Sequence, residues 1–210
     1  MPPTGVNGAL FANIAHGLIT GLLFFLVGAI KDRYGTADLD TLAGATGAAL
    51  YGRAPRLGAL LAFAAIASLG LPGLAGFWGE MLTLFGAYSP AEGLSRPAFR
   101  TFMAIGAFGT LLTAAYMLIV VRRVCMGEHT PHSRLSPDDR APHAADGPEP
   151  SGAAGARPAA TTPQLADIQT YEAAAWTPLA ALTVLAGLWP AVLLGLTDPA
   201  VQKLLAGGKS

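Results

Sequence analysis

Charge is what this sequence has least of: Asp, Glu, Lys and Arg make up 12% of its 210 residues, while 52% are hydrophobic. A soluble domain carries roughly a quarter charged residues, so a water-solvated enzyme is excluded and the membrane class takes its place. An excess of either sign is missing too, with 13 basic residues against 13 acidic ones. The Lys and Arg residues lie scattered near the ends of apolar runs, with no basic face and no basic-aromatic interleaving, which excludes nucleic acid as a partner. Cysteine is nearly absent. The single Cys125 can form neither an intrachain disulfide nor a Cys-based zinc site.

What the chain does contain is apolar length. Uncharged stretches cover residues 7–30, 57–89, 101–121 and 173–197, the second interrupted only by Glu80. Each reaches the roughly 20 residues a helix needs to cross ~30 Å of hydrocarbon. The expected fold is an all-α membrane protein with four transmembrane helices, the second of them discontinuous. Residues 1–126 then form a three-span segment, 127–166 a disordered cytoplasmic linker, and 167–210 the fourth span with a short tail. The first stretch reads as a retained span, since it lacks a basic start and exceeds the about 7 to 15 apolar residues of a signal peptide.

Positive charge orients these spans. Lys31, Arg33, Arg53 and Arg56 lie between the first and second, and Arg122, Arg123, Arg134, Arg140 and Arg157 between the third and fourth. The opposite side receives Arg96, Arg100, Lys203 and Lys209. By the positive-inside rule the first and third connections are cytoplasmic and both ends of the chain are outside. From Glu128 to Pro163 the sequence is rich in Pro, Ala, Gly, Ser and charge, a composition that does not bury a core. His129, His132 and His143 fall there with no helix to hold a metal's geometry, and no metal ligand is read from them. The segment Asp167 to Glu172 reads as an amphipathic entry to the fourth span. Trp176 fits an interfacial anchor, and Trp189 falls in the span's interior.

The second stretch is too long for one straight crossing, since about 33 residues at 1.5 Å each would reach ~50 Å. Gly70, Pro72, Gly73 and Gly76 supply the interruption. Pro72 has no N–H to offer the carbonyl of Ser68, and the glycines lack the side chains that resist non-helical dihedrals. Two half-helices joined by an unwound segment are expected over 70–76. Unpaired backbone groups at membrane depth are tolerated only against protein or along a wet path, and such breaks recur at ion sites of transporters.

Glu80 lies four residues past Gly76 and is the acidic residue of these stretches. A central charge costs roughly 2.5 to 3.5 kcal/mol on insertion scales, so a carboxyl there that changes protonation suits a proton relay. Asn13, His16 and Thr20 share one face of the first span, and the imidazole of His16 is a second relay candidate. Thr110, Thr113 and Tyr116 in the third span read as packing groups between helices.

Several runs carry a family resemblance: Ile14 to Leu18, Lys31 to Tyr34, Ser68 through Gly70, Pro72 and Gly76 to Glu80, and Ala114 to Leu118. They resemble the antiporter-like proton-translocating membrane subunits of bacterial NADH-quinone oxidoreductase, respiratory complex I, and subunit M above all. The resemblance implies that the four spans correspond to helices eleven to fourteen of a fourteen-helix subunit, a partial antiporter-like repeat. It places the family's broken-helix acid on Glu80 and its histidine of helix eleven on His16. Sister subunits carry Lys at the first of these positions. A complete family member is more than twice this length, so a truncated frame, a split product or a mis-called start is expected.

The expected function is therefore a proton-translocating membrane subunit fragment of an NADH-quinone oxidoreductase, working through a carboxylate relay at the broken helix. No cofactor is expected in this chain, because it has no dinucleotide glycine fingerprint and no Cys set for clusters; NADH and quinone act through other subunits. The expected partners are other membrane subunits, the missing N-terminal helices among them, and the lipid bilayer. The expected location is the bacterial inner membrane, crossed several times. A component of a monovalent cation/proton antiporter or membrane-bound hydrogenase is the alternative, and a non-transporting structural fragment is the alternative of another class.

Overall fold

The computed structural model describes residues 3–38, 42, 50–126 and 166–207. Residues 127–165, with almost all of the expected linker and its three histidines, lie outside the described residues. Within them the secondary structure is helical throughout. The helices are α1 (Pro3–Tyr34), α2 (Leu50–Arg53), α3 (Pro55–Ala67), α4 (Ala75–Tyr88), α5 (Arg96–Val120, running on as a π-helical turn over Val121–Met126), α6 (Thr170–Leu188) and α7 (Pro190–Gly207). Prolines sit at the first turns of α3 and α5, where a missing N–H costs nothing.

Two of these helices, α1 and the 31-residue run Arg96–Met126, are long and apolar enough to cross a membrane. The pair α6 and α7 makes a third if it is taken as one span. Residues 173–197 do not form the one continuous span expected from the sequence: α6 and α7 are bent by 76° at Trp189. The reason is Pro190, which lacks an N–H and disfavours helical dihedrals in the residue before it. Trp176 is corrected as well, since it is 4% exposed and belongs to the protein core; Trp189 is the exposed one, at the bend.

The closest packing is between α1 and α4, which run antiparallel. A Cβ on Gly79 would lie 2.5 Å from Cα of Ala12, and one on Gly8 would lie 2.6 Å from the backbone N of Thr83. A Cβ on Gly86 would overlap the backbone of Gly5. In lipid, burying apolar surface gives little net drive for helices to associate, so this close backbone approach through small residues is what holds them. A second cluster joins Leu22, Leu26 and Ile30 of α1 to Leu57 and Leu61 of α3, with Cys125 and Trp176 beside them. By contrast α5 buries no residue fully and presents Phe102, Ile105, Phe108 and Leu111 outward. Such a face suits hydrocarbon or a neighbouring helix.

A polar latch closes the arginine-rich end. Arg33 donates to Ala29 O at 3.1 Å, Ala166 O at 2.7 Å, Asp167 O at 3.3 Å and Glu172 Oε2 at 2.6 Å. The Asp167 carboxylate accepts from the N–H groups of Arg56 at 3.1 Å and Leu57 at 3.0 Å, supplying from a distant part of the chain the N-terminal cap that Ala54 cannot give α3.

Candidate functional site

The chain is unwound between Ala67 and Ala75, which places the interruption at residues 68–74. Gly70 and Gly73 take positive φ values of 65° and 94°, the region that favours glycine. Ser68 keeps its hydroxyl on Ala64 O at 3.0 Å, and Leu74 N–H donates to Leu71 O at 3.1 Å. Gly76 belongs to the first turn of α4, where the absence of a side chain lets that turn approach Ala67 O; a Cβ would lie 2.9 Å from it.

Glu80 sits one and a half turns into α4, half-buried, and its carboxylate rests against Gly70. A Cβ on Gly70 would fall on Oε2, so the carboxylate fills the space that the missing side chain leaves. On α5, the Thr110 hydroxyl donates to Gly106 O at 3.3 Å.

A cavity of about 490 Å³ opens beside Glu80 between α1, α4 and α5. Asn13, His16 and Thr20 line it from α1, Thr113 and Tyr116 from α5, and Ser68 from the break. His16 Nε2 and Thr20 Oγ1 are 3.2 Å apart, and His16 is exposed while Thr20 is partly covered. The structure thus brings Glu80, His16, Gly70 and Gly76 to one place, while Pro72 stays exposed on the outside of the break. Hydroxyl, amide, imidazole and carboxyl groups around one space are the chemistry of proton exchange.

The interruption is itself held from the other side. Trp78 Nε1 donates to Gly187 O at 2.7 Å, and a Cβ on Gly187 would overlap Gly73 O and Leu74. The bend after α6 therefore docks into the break between α3 and α4. Sequence reasoning missed this clamp; of the three residues it reads as packing groups, Thr113 and Tyr116 line the cavity. Their i+3 spacing was the available signal; nothing in the sequence marks Trp78 as the donor to Gly187.

Residues 2–113, which carry α1, the break, Glu80 and most of α5, match the family model described as NADH:quinone oxidoreductase/Mrp antiporter, transmembrane. The chain belongs to this antiporter family. Over 202 residues it is 32% identical to NADH-quinone oxidoreductase subunit M of Rhodobacter capsulatus, an alignment covering 96% of this chain and 31% of that protein. It is 29% identical to subunit M of Rickettsia bellii, over 96% of this chain and 33% of that one. Against NAD(P)H-quinone oxidoreductase chain 4 1 of Synechococcus sp. strain JA-2-3B'a(2-13) it is 39% identical, over 60% of this chain and 23% of the relative. The chain thus spans about a third of the length of the subunit M relatives. In this antiporter-family chain the matched region holds every residue lining the cavity around Glu80 except Tyr116 and Met117.

Proposed function

We propose that this chain is part of a proton-translocating membrane subunit of an NADH-quinone oxidoreductase, and that Glu80 is the group on which a proton rests within the membrane. The observation that carries the reading is a carboxylate seated on the positive-φ Gly70 of a broken helix, in a cavity shared with His16. Charging a carboxyl at membrane depth is costly, so Glu80 keeps its proton until an acceptor is at hand. The polar groups from Thr113 to His16 line a way for that proton, with His16 as the next exchanging group. NADH and quinone react in other subunits, and the partners are the other membrane subunits together with the remaining helices of the antiporter-like unit. The location is the bacterial inner membrane, with α3, the break and α4 together serving as one of four spans.

The test uses the assembled complex in proteoliposomes, with proton uptake read by a pH-sensitive dye and divided by NADH oxidised. Glu80→Gln keeps the shape and removes the exchanging proton. It should slow transfer through this unit by about 100-fold, the low end for loss of an acid-base group, with assembly intact. Unchanged proton uptake in a normally assembled complex would reject the relay and favour a structural role for the chain.

A further inference from the structure

The sequence reading ends the fourth span at Thr197, but α7 continues to Gly207 with Asp198 in its middle. Asp198 turns toward α1. Its Oδ1 accepts from Asn7 Nδ2 at 2.7 Å and its Oδ2 from Gln202 Nε2 at 2.8 Å. Asn7 is 6% exposed, and its Oδ1 is buried without a hydrogen-bond partner. A cavity of about 550 Å³ lies against this group, lined by Thr4, Asn7, Leu82, Gly195, Asp198 and Gln202 among others. Asp198 is the one titratable residue on that lining, from α1, α4 or α7, and among the described residues the salt bridge is Arg33 to Glu172, far away. Asn7 and Arg33 are separated along α1 by about 39 Å at 1.5 Å per residue, so this cavity is at the opposite end of the molecule from the arginine-rich latch.

Among the described residues this carboxylate is fixed by two neutral amides with no cation beside it, which leaves one negative charge uncompensated; a buried amide oxygen without a donor adds a second demand for positive character. We infer that Asn7, Asp198 and Gln202 form a binding site for a small monovalent cation, a proton or an alkali ion. One positive charge balances the single carboxylate, whereas a divalent ion would leave the site with an excess positive charge. The site lies on the other side of α1 from the Glu80 cavity and shares no lining residue with it.

The experiment uses the full chain in lipid nanodiscs, as wild type and as Asp198→Asn, Asn7→Leu, Gln202→Ala and Glu80→Gln. Thermal unfolding is followed by circular dichroism as NaCl or KCl replaces choline chloride at constant ionic strength. Infrared spectra follow the protonated-carboxyl band during a pH titration. A rise in Tm with sodium or potassium that is lost in Asp198→Asn and Asn7→Leu identifies an alkali ion. Absence of that rise, with a titrating carboxyl band that disappears in Asp198→Asn and shifts in Asn7→Leu, identifies a proton. Where Asp198→Asn does not fold, Gln202→Ala, which leaves the Asn7 bond in place, should weaken whichever response appears. Glu80→Gln should leave that response intact, so failure of the relay does not touch this site. The inference is overturned if neither response depends on Asp198, or if Glu80→Gln abolishes the response that Asp198→Asn leaves.

Discussion

At Gly70 one missing side chain does two things, allowing a left-handed turn and leaving room for the Glu80 carboxylate. Gly73 does only the first, since the nearest neighbour of a Cβ there is Leu188 Cδ2 at 3.8 Å. The pair makes a controlled comparison. Gly70→Ala and Gly73→Ala should each cost about 1 to 2 kcal/mol for placing an L side chain in that region, measured by thermal unfolding in detergent. Only Gly70→Ala should also slow proton uptake by the assembled complex, because only it displaces the carboxylate. Equal transport by both variants would show that the contact between Gly70 and Glu80 is incidental. The break and the carboxyl were legible in the sequence because proline and glycine act through rules of the local backbone, and because an acid in an apolar run is conspicuous. The cavity positions of Thr113 and Tyr116 were not, since they depend on which helix lies opposite.

Two interruptions in two different helices meet at Gly187. Its carbonyl, freed where Pro190 ends the regular ladder, takes the indole proton of Trp78, and its bare Cα lets the bend settle against Gly73 and Leu74. Trp78→Phe keeps an aromatic ring but leaves a buried carbonyl without its donor, at about 1 to 3 kcal/mol. Gly187→Ala forces a methyl into backbone and should cost a similar 1 to 3 kcal/mol by overpacking. Thermal unfolding of both single variants and the double variant measures them; strictly additive losses would mean that the two contacts do not act as one joint. Pro190 was visible from the start. A hydropathy window passes over it because Trp and Pro do little to the average, so 173–197 read as one rod where the backbone has a corner.

Across the whole molecule, the latch at the arginine-rich end ties the entry of α6 to α1 and α3. Burial raises the Asp167 carboxyl, but the N–H groups of Ile168, Arg56 and Leu57 and the charge of Arg56 outweigh it and hold it below the usual carboxylate range. A group depressed in the folded state stabilises fully above its unfolded value, near 3.9 for Asp, and loses that contribution as pH falls through the lower folded value. Asp167→Asn should therefore lower Tm at neutral pH and flatten the acid limb of the Tm profile; an acid limb as steep as wild type would remove Asp167 from this role. The segment 167–172 was recognised as an entry to a helix, while its attachments to Arg33, Arg56 and Leu57 belong to the tertiary fold and leave no periodicity to read.

The backbone contacts of Gly8, Gly79 and Gly86 act like meshed teeth along α1 and α4. Sliding one helix past the other by a single residue would drive side chains into main chain at every tooth. In the proposed relay, a displacement that delivers or removes a proton at Glu80 must consequently be a swing of the side chain or a pivot at the unwound hinge, with the two rods keeping their register.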